Sequence, residues 1–229
     1  MIISISRQTA TNGELIGRLV AERLGLRYMD RELVDELARR LQVDPNIVTK
    51  FDEVSLNPVR AVLWEWLANI NEQVYQRSLR QALAHILEEG NTVVIGRGAN
   101  FVLRCPPCLH VRIVAPLPLR VAIYRAEHEV SEHEAEHLLQ QGDHDRAQFI
   151  RTIFHQNIDD PLQYDLSVNL AGLTPEMAAD IIVHAAQVRS ANRLPTEPHA
   201  TLPQHIEIMG RHRRPTRPAT LERTQGKNV

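Results

Sequence analysis

The first 25 residues pass from a short apolar run through a polar turn into a helical pattern. Residues 2–6 read Ile-Ile-Ser-Ile-Ser, and residues 7–13 follow as a polar turn. Apolar residues then return at helical spacing from Leu15 to Leu24, and Gly25 ends the pattern. This order predicts a buried strand, a loop and a helix. A strand that leads directly into a helix is typical of layered α/β folds.

The same alternation continues along the chain. Residues 92–95 (Thr-Val-Val-Ile) form an uninterrupted apolar run, which is typical of a parallel strand covered on both faces. Five strands alternating with helices predict a parallel five-stranded sheet flanked by helices, with right-handed crossovers. A charged stretch at residues 120–157 predicts a helical insertion able to move over the edge of the sheet. The other strands are expected at 26–29, 109–114 and 166–170, and the other helices at 30–40, from 44, at 57–88 and at 175–188.

The composition excludes several classes of protein. No apolar run approaches the roughly 18–20 residues that span a bilayer. The N-terminus has neither the basic region nor the long apolar region of a secretory signal. The two cysteines, Cys105 and Cys108, are too few to staple a domain of 229 residues. We therefore expect a cytoplasmic protein with no membrane partner.

The composition changes from residue 189 onward. Eight Arg and Lys stand against three acidic residues there, among Pro, Thr and His without periodicity. This predicts a disordered basic Pro/Arg-rich tail at 189–229 after a single domain at 1–188. The whole chain carries a net charge of −2, so the domain itself is acidic. We therefore expect no specific nucleic-acid partner.

Polar segments follow three of the predicted strands, at the sheet edge where α/β proteins bind ligands. The loop at 6–13 precedes a helix, whose first N–H groups favour a phosphate. Residues 30–32 (Asp-Arg-Glu) and 96–98 (Gly-Arg-Gly) follow the second and third strands, and Arg97 can hold an oxyanion with two hydrogen bonds. Convergent arginines are what phosphoryl transfer requires. The insertion contributes Arg120, Arg125, Arg146 and Arg151.

Two alternatives remain open for these residues. Each arginine taken alone would equally suit a solvated helix face. Asp30 stands where a helix N-cap is expected, so its carboxylate would equally suit capping.

Six motifs, in family order, resemble those of cytidylate kinase-like proteins and cover residues 1–188. The resemblance implies a P-loop nucleoside-monophosphate kinase fold that uses ATP and Mg²⁺ and accepts CMP or dCMP. It further implies that residues 120–157 form the lid. The motifs are Ile5-Ser6-Arg7-Gln8 before Gly13, Tyr28-Met29-Asp30-Arg31-Glu32-Leu33, residues 95–103 from Ile95-Gly96-Arg97, Val114-Ala115-Pro116 before Arg120-Val121, residues 142–147 from Gly142-Asp143, and residues 164–169 from Tyr164-Asp165.

The resemblance implies the roles of Asp143, Arg146 and Arg97, and the positions of the other candidate residues predict the rest. Asp30 would hold Mg²⁺ or activate the acceptor, and Asp143 with Arg146 would grip phosphate. Arg97, with Gly96 and Arg31, would hold the acceptor. The lid would also neutralise the transferred group, with Arg120, Arg125, Arg146 and Arg151, and Arg151 would in addition contact the donor. The donor would lie on the loop residues Ser6, Arg7, Gln8, Thr11, Asn12, Gly13 and Glu14.

The loop departs from a working phosphate loop in its charge. It lacks the lysine and the Ser/Thr of the G-x-x-x-x-G-K-[ST] pattern. Of the Gly-Ser-Gly-Gly turn typical of the family it keeps only Gly13, and Glu14 stands where the Mg²⁺-binding hydroxyl is expected. Arg7 or Arg18 could replace the missing positive charge. The alternative hypothesis is therefore a nucleotide-binding or interaction protein that has lost turnover.

Three further motifs fit other functions less well. His133-Glu-Ala-Glu-His137 matches the zincin helix, but the segment is dense in Glu and His and offers no third ligand, so zinc hydrolysis is a remote hypothesis. Cys105 and Cys108 are expected to be free thiols in a loop. Trp64, Trp66 and Tyr75 on the long predicted helix indicate core or dimer-face residues, which leaves a homodimer possible.

Overall fold

The computed structural model describes residues 1–49, 71–88, 91–103 and 108–191. Within them five strands form one sheet in the order β2-β3-β1-β4-β5, and every recorded pairing is parallel. The predicted five-stranded parallel sheet with flanking helices is therefore confirmed. The strands are β1 Ile2–Arg7, β2 Arg27–Met29, β3 Thr92–Ile95, β4 Cys108–Val114 and β5 Leu166–Asn169.

Helices connect the strands and cover the sheet. The helix predicted at 57–88 is described only from residue 72, and its earlier part, with Trp64 and Trp66, lies outside the described residues. The C-terminal helix runs three residues further than predicted, and the tail beyond it also lies outside them. The described helices are α1 Gly13–Leu24, α2 Arg31–Leu41, α3 Pro45–Thr49, α4 Glu72–Glu88, α5 Ala99–Val102, α6 Leu117–Glu127, α7 Glu132–Phe154 and α8 Pro175–Ala191, with a 3₁₀ turn at Pro161–Gln163.

The two faces of the sheet bury separate apolar clusters. Ile3 and Ile5 of β1 pack on one face against α1 and α8. Ile2 belongs to the other face, where α2, α4 and the end of α7 pack. The alternation follows the period of two in a strand. Tyr75 of α4 is fully buried there and meets the Phe149 and Phe154 rings edge to face, so it is a core residue.

On the second face, the central strand becomes polar toward its carboxyl end. The Ser4 hydroxyl contacts His110 Nδ1 at 2.7 Å, and the Ser6 hydroxyl accepts a hydrogen bond from Arg112 at 2.9 Å. Both partners stand opposite the serines in β4. Both serines and Arg112 are buried, so this end of the sheet carries polar groups instead of core.

Helices α6 and α7 form most of the predicted insertion. Their shared cluster contains Val121, Tyr124, Ala135, Leu138 and Leu139, so the pair has apolar packing of its own. Ser131 caps α7 by accepting a hydrogen bond from the Glu134 N–H. No helix within the described ranges is both long and apolar enough to cross a membrane.

Candidate phosphate-binding cleft

A cleft lies at the carboxyl ends of β1 and β3, beneath α7. Its lining combines three arginines with one amide, glycine backbone and an apolar wall, and includes no Asp or Glu. Three guanidinium groups around one cleft favour an anionic ligand. The lining residues are Ser6, Arg7, Gly96, Arg97, Gly98, Asn100, Phe101, Arg146, Phe149, Ile150 and Ile158.

The three cleft arginines, Arg7, Arg97 and Arg146, are all at least 90% buried. Each pairs with a carboxylate outside the lining: Arg7 with Glu14 at 3.0 Å, Arg97 with Asp30 at 3.8 Å and Arg146 with Asp143 at 3.7 Å. Buried charges require such partners.

The loop between β1 and α1 is fixed by its own polar contacts. The Gln8 N–H donates to the Ile113 carbonyl at 3.0 Å, and the Gln8 side chain accepts from the Ala115 N–H at 3.0 Å. Thr11 Oγ1 donates to the Gln8 carbonyl at 2.7 Å. Within the described part of the chain, no acceptor is recorded for the backbone N–H groups of residues 10–15. N–H groups at the start of a helix suit a phosphate, and the phosphate-binding role of the loop at residues 6–13 stays a prediction.

Left-handed backbone shapes this loop. Ala10 and Asn12 have φ values of 56° and 51°, a region that glycine adopts without strain. Asn12 precedes α1 without a side-chain cap. The loop thus keeps a glycine-like path with side chains that rarely adopt it.

Arg7 lies beside the loop, where the sequence predicts that an arginine replaces the charge of the missing lysine. A Cβ atom on Gly13 would lie 2.9 Å from three side-chain carbons of Arg7, so only glycine lets Arg7 cross the start of α1. The guanidinium then reaches Glu14, whose charge it offsets. Arg18, the other candidate, stacks instead on the Tyr28 ring at 4.4 Å.

The turn at residues 96–98 is left-handed throughout, with φ values of 66°, 58° and 75°. A Cβ on Gly98 would come within 2.3 Å of the Phe154 ring. Arg97 is not a glycine, so its positive φ strains the backbone. The Arg97 side chain lies in the cleft, where it is 5% exposed.

Asp30 does not cap α2. It occupies the N-cap position, but its side chain makes no capping hydrogen bond and pairs with Arg97 instead, so the capping alternative is wrong. The pKa of the neighbouring Tyr28 is raised to about 12, first by burial and then by the charges of Asp30 and Glu14. Arg31 is exposed and lies outside the cleft lining.

The four arginines of the insertion separate into two groups. Arg120 is buried and donates to Asp143 at 2.7 Å and to the Ala115 carbonyl at 3.2 Å. Arg146 donates to Thr9 Oγ1 at 3.0 Å, which joins α7 to the loop. Arg125 is exposed and lies 3.7 Å from Glu132, and Arg151 is exposed outside the cleft lining. For Arg125 and Arg151, the alternative of a solvated helix face therefore fits the structure better than a role in the cleft.

Sequence reasoning missed several residues of this region. Asn100 and the apolar wall line the cleft, and Arg112 is buried behind it. One signal was present in the sequence: an arginine in the middle of the apolar run of β4. An ionised side chain at such a position needs buried polar partners.

The described residues contain no group of three or more His, Cys, Asp or Glu that could hold a metal ion. His133 and His137 are both exposed on α7. Cys108 is a buried free thiol at the start of β4, and Cys105 lies outside the described residues. Glu14 and Asp30, which both act on Tyr28, offer the carboxylate oxygens that suit Mg²⁺ beside phosphates.

A family model described as the cytidylate kinase-like family matches residues 2–171. An uncharacterized protein from Eubacterium ventriosum is 19% identical with a TM-score of 0.61, covering 82% of this chain and 98% of its own. A Thermus thermophilus protein is 13% identical with a TM-score of 0.51, covering 82% and 97%. A shikimate kinase from Bacteroides thetaiotaomicron has a TM-score of 0.47 at 14% identity, covering 83% and 98%. No curated protein is significantly similar in sequence.

Proposed function

The chain belongs to the cytidylate kinase-like family, and from this premise we propose that it transfers the γ-phosphoryl group of ATP to a nucleoside monophosphate of the CMP or dCMP type, or to a similar small acceptor. Membership of a kinase-like family supports phosphoryl transfer in general. The acceptor class rests on the sequence motifs. A cytoplasmic location is part of the proposal, because ATP and conditions that keep the Cys108 thiol free are both found there.

The observation that carries the proposal is the cleft lined by three buried arginines and no acid. The transferred group in phosphoryl transfer carries charge on its equatorial oxygens, and catalysis consists mostly of positioning that group and neutralising its charge. Guanidinium groups held by packing and ion pairs do this without reorganising during the reaction.

The proposed roles follow from position. The N–H groups of residues 10–15 and the Arg7 guanidinium hold the donor phosphates. Arg97 holds the acceptor, and Arg146, attached to the loop through Thr9, closes α7 over both as a lid. Arg120 positions Asp143 beside Arg146. Mg²⁺, when bound by Asp30 and Glu14, supplies further neutralisation of phosphate charge.

A second candidate function is nucleotide binding without turnover. The Arg7–Glu14 ion pair favours it, because Glu14 competes with a phosphate for the cation that replaces the usual lysine. The strained Ala10 and Asn12 also make the loop less adaptable than a glycine turn.

A coupled ATPase assay against a panel of nucleoside monophosphates tests the proposal. We expect turnover with a pyrimidine monophosphate, and a loss of about 100-fold or more in kcat/KM on Arg97→Ala. Arg125→Ala is the matched control, because Arg125 is exposed and outside the cleft. Its activity should remain within about twofold of the unmodified protein.

The other outcomes of this assay discriminate between the two candidates. Nucleotide binding by calorimetry without turnover supports the second function. Absence of any association with ATP, GTP or CMP at millimolar concentration, with magnesium present, contradicts both.

A further inference from the structure

Asn100 is a buried amide of the cleft that the proposed reaction does not use. It lies in α5, directly after the turn at residues 96–98, and it lines the cleft together with Arg97. The residue is 6% exposed. Its side-chain nitrogen Nδ2 is closed to solvent and has no hydrogen-bond partner within the described part of the chain. Each of the three cleft arginines, by contrast, has an ion pair.

A buried donor without a partner is costly. The amide N–H has lost its hydrogen bonds to water and has gained none within the protein. The large majority of buried polar side-chain atoms have a partner, so an exception in the wall of a cleft requires an explanation. A ligand atom that accepts a hydrogen bond from Nδ2 removes this cost on binding. The Asn100 donor therefore suits a contact that forms only with a ligand.

The lining of the cleft has a charged part and an apolar part. The three arginines supply positive charge for a phosphate. A phosphate gains nothing from the apolar part, which suits a ligand that joins a phosphate to a less polar group. The apolar part consists of Phe101, Phe149, Ile150 and Ile158.

Phe101 follows Asn100 in the chain and places an aromatic ring in the same wall. Its ring stacks on that of Phe154, with centroids 5.3 Å apart and planes inclined at 28°. Phe101 is only partly buried, although it packs against the core. Aromatic side chains bind planar bases by stacking. Two adjacent residues of one short helix thus offer a hydrogen-bond donor and an aromatic surface to one ligand.

We propose that Asn100 is a specificity-determining residue that binds the base of the acceptor nucleotide. Its Nδ2 donates to a ring nitrogen or a carbonyl oxygen at the edge of the base, while Phe101 contacts the ring. This inference rests on the proposed function, because it concerns the acceptor side of the same cleft. It restricts the acceptor to phosphates that carry a planar heterocycle, such as a pyrimidine. A sugar phosphate without a base leaves both side chains unused.

Access to the amide depends on α7. This helix forms one wall of the cleft through Arg146, Phe149 and Ile150. Because Nδ2 is closed to solvent, the base reaches it only when the cleft widens. In the proposed reaction α7 moves as the lid, and this movement admits the acceptor.

Two other roles of Asn100 make different predictions. If the amide holds a buried water or shapes α5, its removal lowers the stability of the fold. If the amide contacts the phosphate, its removal weakens every phosphorylated ligand alike. Contact with the base affects only ligands that carry one, and it leaves stability nearly unchanged because the donor has no partner to lose.

The test is calorimetric titration of CMP and of ribose 5-phosphate into the full-length protein and its variants. The two ligands share a ribose phosphate, and only CMP carries a base. We expect Asn100→Ala and Phe101→Leu each to weaken CMP binding about three- to tenfold, as for one lost hydrogen bond or stacking contact. Both variants should bind ribose 5-phosphate within about twofold of the unmodified protein. Asn100→Ser, which keeps a shorter donor, should recover part of the CMP affinity.

Asn46→Ala is the matched control, because Asn46 is an exposed asparagine on α3 outside the cleft lining. Its affinity for both ligands should stay within about twofold of the unmodified protein. Melting temperatures report on folding, and Asn100→Ala should melt within about 3 °C of the unmodified protein.

The outcomes separate this inference from the proposed function. Unchanged CMP binding by Asn100→Ala, equal losses for CMP and ribose 5-phosphate, or a large drop in its melting temperature would overturn the inference and leave the proposed function intact. If the unmodified protein binds CMP but not ribose 5-phosphate, the base itself supplies affinity, and a selective loss of CMP binding in Asn100→Ala supports the inference. No CMP binding by the unmodified protein would overturn both.

Discussion

Left-handed backbone at non-glycine residues concentrates around the cleft. Five such residues occur in the described ranges, and two of them, Gln42 and His155, end helices, where this conformation is common. The other three are Ala10, Asn12 and Arg97, and all three belong to the loop or to the turn at residues 96–98. Strain of this kind persists only where the surrounding structure imposes it. Its location supports the cleft as the functional site.

Tyr28 allows a prediction at the same scale. Its hydroxyl is buried without a hydrogen-bond partner, and its pKa is raised from 10.0 to about 12 by burial first and by Asp30 and Glu14 second. Below pH 10 the Tyr28 phenol is neutral in both the folded and the unfolded protein, so its ionisation does not lower the free energy of unfolding there. Between about pH 10 and 12 only the unfolded chain ionises, and stability falls as pH rises.

We expect Tyr28→Phe to make this alkaline decline shallower, while stability at pH 8 stays within about 1 kcal/mol because the ring remains over Arg18. Urea denaturation at pH 8, 10 and 11 measures both effects. An alkaline slope identical to that of the unmodified protein would contradict the assignment.

At the scale of elements, the position of the phosphate loop depends on how closely α1 approaches β3. A Cβ on Gly17 would lie 2.6 Å from Ile95 Cδ1 and 3.1 Å from the Tyr28 ring. The absence of a side chain at Gly17 lets the helix lie against the strand, which sets where its first N–H groups point. The position of the loop therefore depends on the packing of Gly17, which lies about one turn along α1 from the loop.

Gly17→Ala tests this packing. Alanine favours a helix by about 1 kcal/mol over glycine, but overpacking here should dominate and destabilise the fold by about 1–3 kcal/mol. Nucleotide binding should weaken as well, because α1 must move. Glu22→Ala, on an exposed position of the same helix, is the control and should stay within about 0.5 kcal/mol. Chemical denaturation gives the free energies, and a stabilised Gly17→Ala variant would contradict the close contact.

At the scale of the whole molecule, the buried residues of the apolar clusters on both faces of the sheet lie between residues 2 and 186. Residues Met1–Arg193 form one compact unit. The order β2-β3-β1-β4-β5 places β1 at the centre, where the chain turns to opposite sides of the sheet. In such sheets the ligand lies at this switch point, and the cleft at the end of β1 agrees with that rule.

We therefore expect a chain that ends after Arg193 to fold with a melting temperature within about 2 °C of the full-length protein. Its affinity for pyrophosphate should also be unchanged, because every cleft residue precedes Arg193. Thermal denaturation and calorimetry measure the two quantities. A large drop in either would show that the C-terminal 36 residues contribute to the domain.

Local patterns in the sequence were sufficient for the sheet and for part of the cleft. Period-two and period-3.6 patterns are local properties, and they located the five strands and most helix bounds within a few residues. Glycine is also a local signal, and it marked the turn at residues 96–98. The family motifs follow these same segments.

The environment of each charge was decided by the tertiary structure alone. Arg125 and Arg146 stand at equivalent helical positions in the sequence, yet one is exposed and the other contacts the loop through Thr9. Asp30 has the sequence position of a cap but faces Arg97, and Arg112 becomes buried only because β4 pairs with β1. Hydrophobic period and turn chemistry depend on neighbours in the chain, whereas the partner of a charge comes from residues tens of positions away, which no local pattern identifies.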